Sequence, residues 1–254
     1  MTTIDTRPTL EVQPLSGHIG AEIAGVRLSG DLDEGTVRQI RDALAKWKVV
    51  FFRDQDIGPA DQVAFGRHFG TVTPAHPLFP GIADHPEIWE LGAADGPSAV
   101  ENRIEYNWHA DVTYLPEPPL GSILRAVELP PVGGDTQWAN LVTAYETLSP
   151  PIRRLVDELT AVHREALQLE YSDLVEPIEP LPDGRGRFSV HPLVRIHPDN
   201  GERILFFTPQ FVKHFVGLTH RESAKLHDLL SEHVTRPELT VRFRWQPGSV
   251  AFWD

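Results

Sequence analysis

The chain contains no cysteine. That excludes disulfides, zinc–thiolate sites, iron–sulfur clusters and cysteine nucleophiles. Any metal site has to use histidine and carboxylates, a donor set that suits iron, manganese or zinc. No apolar run approaches the roughly 18–20 residues that span a bilayer. The stretch Met1 to Gln13 is polar and carries charges of both signs, unlike a secretory signal. Basic residues are a minority: 23 Lys and Arg stand against 36 Asp and Glu, a formal net charge of -13. Such a chain lacks the basic face that neutralises phosphates, which argues against nucleic-acid partners and anionic membrane surfaces. No Gly-rich nucleotide fingerprint follows a strand, and there are no repeats or low-complexity tracts. The expectation is a cytoplasmic protein with no nucleic-acid or membrane partner.

The 254 residues are 41% hydrophobic, enough for a sizeable core. Twenty-three prolines and 19 glycines divide them into short pieces. Val37, Ile40, Ala43, Leu44 and Trp47 recur at helical spacing and predict a helix over Asp33–Lys48 with an aspartate cap. Val49-Val50-Phe51-Phe52 reads as a buried strand, and Pro59–Phe69 as a second helix. Thr73–Asn107 is rich in Pro and Gly, with one predicted strand at Ile88–Leu91. A further strand is expected at Ser122–Leu129, and helix over Ala144–Ala161 with an interruption at Pro150-Pro151. Leu193–Ile196 and Arg203–Phe207 flank Asp199-Asn200-Gly201 as a hairpin. Arg221–His233 is a predicted helix, and Leu239–Trp245 and Ser249–Trp253 are predicted strands. Many short strands with few helices favour a mainly β fold with flanking helices, a sandwich or barrel, over a regular βαβ array.

The sharpest chemical signal is His109-Ala110-Asp111. In an extended strand, residues i and i+2 share a face, so the imidazole and the carboxylate would project together. They supply two ligands of the facial triad of non-haem Fe(II) oxygenases, which leaves positions open for a chelating cosubstrate and O2. The same triplet can also be no more than a hydrogen-bonded His–Asp pair.

The surrounding sequence resembles the taurine dioxygenase (TauD/TfdA) family. The resemblance rests on Asn107–Tyr114 (NWHADVTY), Gly121–Leu124, Gly133–Trp138 (GGDTQW) and Ala144-Tyr145. It extends from Gly17–Ala21 and Val49–Asp54 through Phe69-Gly70, His76-Pro77 and His191–Arg195 to Arg244–Gly248 and Ala251–Asp254. It implies a single dioxygenase domain over residues 1–254 with a double-stranded β-helix (jelly-roll) core, using Fe(II), 2-oxoglutarate and O2.

By position, His109 and Asp111 match the family's first two iron ligands. Thr136 matches the hydroxyl that contacts a 2-oxoglutarate carboxylate; otherwise it is a strand-end threonine beside a Gly-Gly turn. His76 matches a substrate-binding histidine, Val112 a pocket residue that meets substrate through its backbone, and Phe206 an aromatic pocket wall or a core residue. Phe79 stands where taurine-specific members carry Tyr, and Glu105 where they carry Asn. The first change makes the pocket less polar and suits a larger apolar tail. The second places a carboxylate that would repel an anionic substrate unless it is paired or turned away.

The implied reaction hydroxylates an organosulfonate such as taurine at the carbon bearing sulfur. It releases sulfite and an aldehyde, with succinate and CO2 from the cosubstrate. Alternatives are an alkyl-sulfatase-type dioxygenase releasing sulfate, a carboxylate substrate, or a catalytically incomplete member. The partner is a small anionic organosulfur compound, and the protein is expected to form a homo-oligomer, a dimer or tetramer as its relatives commonly do. The family pattern continues past Asp254 with a third iron ligand, a histidine, and with an Arg for the far carboxylate of 2-oxoglutarate, and neither is in this sequence. The expectation is an active protein that carries a C-terminal segment after Asp254. Its intact mass should then exceed that of these 254 residues, and equality would overturn the expectation.

Overall fold

A computed structural model describes residues 10–73, 81–91, 108–165 and 188–254. In chain order the elements are β1 (Glu11–Pro14), β2 (Ala21–Ala24), α1 (Glu34–Trp47), β3 (Val49–Phe52), α2 (Pro59–Arg67), β4 (Ser122–Arg125), β5 (Thr136–Ala139), α3 (Leu141–Glu146) and α4 (Pro150–Asp157). There follow β6 (Thr160–Arg164), β7 (Phe188–Pro192), β8 (Val194–Ile196), β9 (Arg203–Leu205), β10 (Val212–Phe215), α5 (His220–Val234), β11 (Thr240–Phe243) and β12 (Val250–Trp253). The described residues fall into two compact units. One holds residues 10–73, 81–91, 120–138 and 241–254; the other holds 108–119, 139–165 and 188–240. Among the described residues no helix is long and apolar enough to cross a membrane.

The first unit is organised by β3, all four of whose residues are buried. A strand covered on both faces reads as a continuous apolar run. Val50 and Phe52 face the layer that includes Ile40, Ala43 and Leu44 of α1 and Phe65 of α2. Val49 and Phe51 face an aromatic layer of Phe243, Trp138, Trp245 and Trp253. β12 alternates in the same way, with Val250 and Phe252 on the helical side and Ala251 and Trp253 on the aromatic side. The sheet order is β1-β2-β3-β12-β4, antiparallel except where β2 meets β3. α1 starts where the Asp33 carboxylate accepts from the amides of Gly35 and Thr36, and it stops at Lys48 in a left-handed conformation (φ 65°). β5 pairs with β11.

The second unit contains the antiparallel sheet β10-β6-β7 and the hairpin β8-β9. α5 opens with a complete capping box: Thr219 Oγ1 accepts from the Glu222 amide and Glu222 Oε2 accepts from the Thr219 amide. Its Leu226, Leu230 and Val234 then fall one turn apart in the core with Leu205, Phe207 and Phe215.

The predicted strand at Ile88–Leu91 does not form. The amides of Ile82, His85 and Ile88 donate to the carbonyls of Ile88, Ile82 and His85 respectively, so local turns take up the groups a strand would offer to a neighbour. The helix expected over Ala144–Ala161 is interrupted next to Pro150-Pro151, which begin α4 after the break that follows Glu146, as suits proline in a first helical turn; its far end differs, because Thr160-Ala161 belongs to β6.

Gly121 lies where β4 begins beside the end of β12, and a Cβ there would come within 2.1 Å of the Trp253 carbonyl oxygen. Gly121→Ala must push two backbones apart. A loss of about 1–3 kcal/mol in unfolding free energy is expected, measurable by urea denaturation; an unchanged midpoint would contradict the close approach.

Candidate active site

His109 and Asp111 are brought together, but not by a strand. Trp108–Ala110 has no regular structure, and Asp111–Tyr114 lies in turns, of which Val112–Leu115 is closed by a 2.9 Å hydrogen bond from the Leu115 amide to the Val112 carbonyl. Val112 sits at φ 45°. The left-handed region is poorly suited to a β-branched residue and costs about 1–3 kcal/mol, so it persists only where neighbours over-determine it. The turn nonetheless sets His109 Nε2 3.5 Å from Asp111 Oδ1, with the side chains 39% and 35% exposed. The extended reading of this segment is corrected: turn geometry, not strand alternation, pairs the two groups.

What over-determines the turn is the inner face of β6 and β7. Along β7, Ser189 and His191 point inward while Phe188 and Val190 are exposed, and His163 of β6 lies opposite Ser189. Ser189 Oγ donates to the Tyr114 carbonyl at 2.8 Å. His191 Nε2 lies 2.9 Å from the Thr113 carbonyl and 3.1 Å from that of Leu115. Carbonyls only accept, so Nε2 carries the proton. His163 Nδ1 reaches Thr113 Oγ1 at 3.0 Å. At the start of the segment, the Gln210 amide donates to the Trp108 carbonyl. Both histidines are held neutral. Burial, followed by the nearby charge of His191 and Arg195, pushes His163 down to about 3. Burial also lowers His191. Tyr114, edge-on to Phe211, is pushed up by burial and by the charges of Glu165 and Asp111.

Phe206, expected as a pocket wall or core residue, stacks on His163 (5.1 Å between ring centres), meets His191 edge-on and lies 4.6 Å beneath the Arg195 guanidinium. Thr136 opens β5 in the first unit, where its hydroxyl oxygen accepts from Trp245 Nε1 at 2.9 Å. His76, Phe79 and Glu105 lie outside the described residues. Neither the β6–β7 clamp nor the Thr136–Trp245 bond was foreseen. The clamp had a signal, since the run Phe188-Ser189-Val190-His191 alternates and its polar members are the ones turned inward.

Among the described residues no group of three or more His, Asp or Glu could hold a metal. The pair itself fits a divalent ion. Two donors at about 2.1 Å from one ion can be at most about 4.2 Å apart, so the observed 3.5 Å lies within its bite. One imidazole and one carboxylate are also the donor types that non-haem Fe(II) takes.

The profile of the family described as taurine catabolism dioxygenase TauD, TfdA family, matches residues 11–254. The chain belongs to this family. It is 42% identical to an alpha-ketoglutarate-dependent sulfate ester dioxygenase of Pseudomonas putida, covering 96% of this chain and 81% of that protein. It is 39% identical to an alkylsulfatase of Acinetobacter baylyi, covering 100% and 80%. A crystal structure of a taurine dioxygenase from Burkholderia xenovorans superposes with a TM-score of 0.82 at 48% identity, over 97% of this chain and 80% of that one. The TauD/TfdA fold, a jelly roll with flanking helices, is therefore the fold of this chain. The protein is a dioxygenase of the Fe(II)- and 2-oxoglutarate-dependent class.

A histidine with a depressed folded-state pKa binds fewer protons than the unfolded chain between that value and the ordinary histidine value of 6.5, as holds for His163. Stability therefore rises with pH over that window and is lost as pH falls through it. Melting temperature should drop from pH 6.5 towards pH 4, and His163→Gln should flatten that slope. A variant with the wild-type slope would contradict a buried neutral His163.

Proposed function

We propose that the protein hydroxylates the sulfur-bearing carbon of a small organosulfur anion, with His109 and Asp111 as two of the iron ligands. The observation that carries the reading is the His109–Asp111 pair, held 3.5 Å apart on a clamped, strained turn, in a chain of this family. Residues 1–254 are read as one dioxygenase domain. When bound, Fe(II) would let O2 act as the oxidant for C–H hydroxylation while 2-oxoglutarate gives up two electrons: one oxygen atom ends in the substrate hydroxyl and the other in succinate, with CO2 released.

The chain's own part is positioning. The clamp fixes the backbone that carries the two donors, so little backbone reorganisation is needed on binding. Thr136 contributes a hydroxyl to a cosubstrate carboxylate. Val112 turns its backbone towards the substrate, in line with its left-handed conformation. Phe206, stiffened by its contacts with two histidines, serves as an apolar wall. His76 is assigned to the anionic head, Phe79 to the tail, and Glu105 to the substrate pocket. Holding the target C–H in place and excluding water is where such a site gains rate. A hydroxyl added to a carbon bearing a sulfonate gives a product that breaks its C–S bond, yielding an aldehyde and sulfite. The same step next to a sulfate ester yields an aldehyde and sulfate.

The 48% identity to a taurine dioxygenase supports a sulfonate, and the Pseudomonas and Acinetobacter relatives support a sulfate ester. Phe79 in place of Tyr favours, in either case, a tail larger and less polar than that of taurine. The homo-oligomer, a dimer or tetramer, belongs to the same reading.

The test follows succinate formation with taurine, longer alkyl sulfonates and alkyl sulfates, together with sulfite or sulfate release. Stimulation by longer-chain anions above taurine, lost in His109→Gln and Asp111→Asn, is expected. No stimulation by any sulfonate or sulfate would defeat the proposal.

A further inference from the structure

Trp245 has no role in the reaction as described so far. Its indole donates to Thr136 Oγ1 at 2.9 Å. Indole can only donate, whereas a threonine hydroxyl has one proton and two acceptor lone pairs. The bond therefore fills an acceptor lone pair of Thr136 and leaves the hydroxyl proton to be given elsewhere. A hydroxyl that already accepts a hydrogen bond is also polarised into a better donor. The group best matched to a lone remaining donor is an acceptor-only one, and an ionised carboxylate is such a group.

The indole is held firmly enough to impose this direction. Its ring meets Phe243 edge-on at 5.1 Å and Trp138 at 6.3 Å, and Phe243 is stacked on Phe51 at 3.9 Å. On the preceding residue, the Arg244 carbonyl accepts from Arg53 Nη1. On the following one, the Gln246 amide donates to Ser249 Oγ and the Gln246 carbonyl accepts from the Ser249 amide. The carboxylate of Asp135, next to Thr136, is paired with Arg242 Nε at 2.8 Å, which moderates its repulsion of an incoming anion.

We propose that Trp245 is a positioning residue for the cosubstrate, orienting the Thr136 hydroxyl so that its proton is presented to a carboxylate of 2-oxoglutarate. This rests on the reading of Thr136 as the cosubstrate's hydroxyl contact. It adds a residue that touches no reactant and acts only through Thr136.

The experiment titrates 2-oxoglutarate into the Mn(II)-loaded protein by calorimetry, where no turnover occurs, alongside Mn(II) affinity and melting temperature. Thr136→Val is expected to weaken 2-oxoglutarate binding on the order of 10-fold, and Thr136→Ser to restore it. Trp245→Phe keeps an aromatic ring but no donor. It should weaken binding about 3- to 10-fold, with Mn(II) affinity and melting temperature as in the wild type. In the Thr136→Val background, Trp245→Phe should have no further effect, because its target is gone. If Thr136→Val binds 2-oxoglutarate like the wild type, the reading of Thr136 falls and takes the inference with it. If Thr136→Val weakens binding and Trp245→Phe does not, or if the two effects multiply in the double variant, Thr136 stands and the role of Trp245 is overturned. A Trp245→Phe protein that loses melting temperature and Mn(II) affinity together with 2-oxoglutarate also overturns it, by showing a purely structural contact.

Discussion

Four hydrogen-bond contacts between the inner face of β6–β7 and Thr113–Leu115 hold the segment that carries His109 and Asp111. They constrain a turn whose first residue, Val112, is β-branched and left-handed. Strain of about 1–3 kcal/mol at such a position is matched by the about 1–3 kcal/mol that each stranded buried carbonyl would cost if the clamp let go. The turn is thus held by what its carbonyls would lose, not by its own preference. Neutral histidines suit this task. A charged His191 would still donate to the two carbonyls, but burial and the Arg195 charge oppose it.

The first unit solves a different problem. β3 and β12 separate a helical layer from an aromatic one, and the aromatic layer is where a polar contact is made. Trp245 packs with Phe243 and Trp138 and spends its one donor on Thr136. Tryptophan has the body for such a layer and a polar handle for one partner. A phenylalanine there would keep the packing and leave the hydroxyl undirected.

Much of this was legible from residues alone, and the reasons differ by element. The periodicity of α1 and its Asp33 cap, the doubly buried run at Val49–Phe52 and the β8–β9 hairpin follow from local chemistry that tertiary packing does not override. Ile88–Leu91 misled because an apolar run says nothing about whether a partner strand is available, and local turns took up the backbone groups. His109-Ala110-Asp111 gave the right pairing from the wrong backbone. Alternation and a tight turn can both bring residues i and i+2 together, and only a positive φ at Val112 tells them apart. The clamp was invisible as chemistry because His163 acts on the Thr113 hydroxyl, and His191 and Ser189 on backbone carbonyls, 50 or more residues away. No motif records such a contact.

The central claim is that this clamped turn makes His109 and Asp111 two ligands of one metal ion. The Mn(II) dissociation constants of the wild type, His109→Gln and Asp111→Asn, each checked for an unchanged melting temperature, test it most directly. Each variant is predicted to bind Mn(II) more weakly than the wild type by more than the about 10- to 100-fold that losing an outer partner of a ligand costs. Wild-type affinity in both variants would contradict the account.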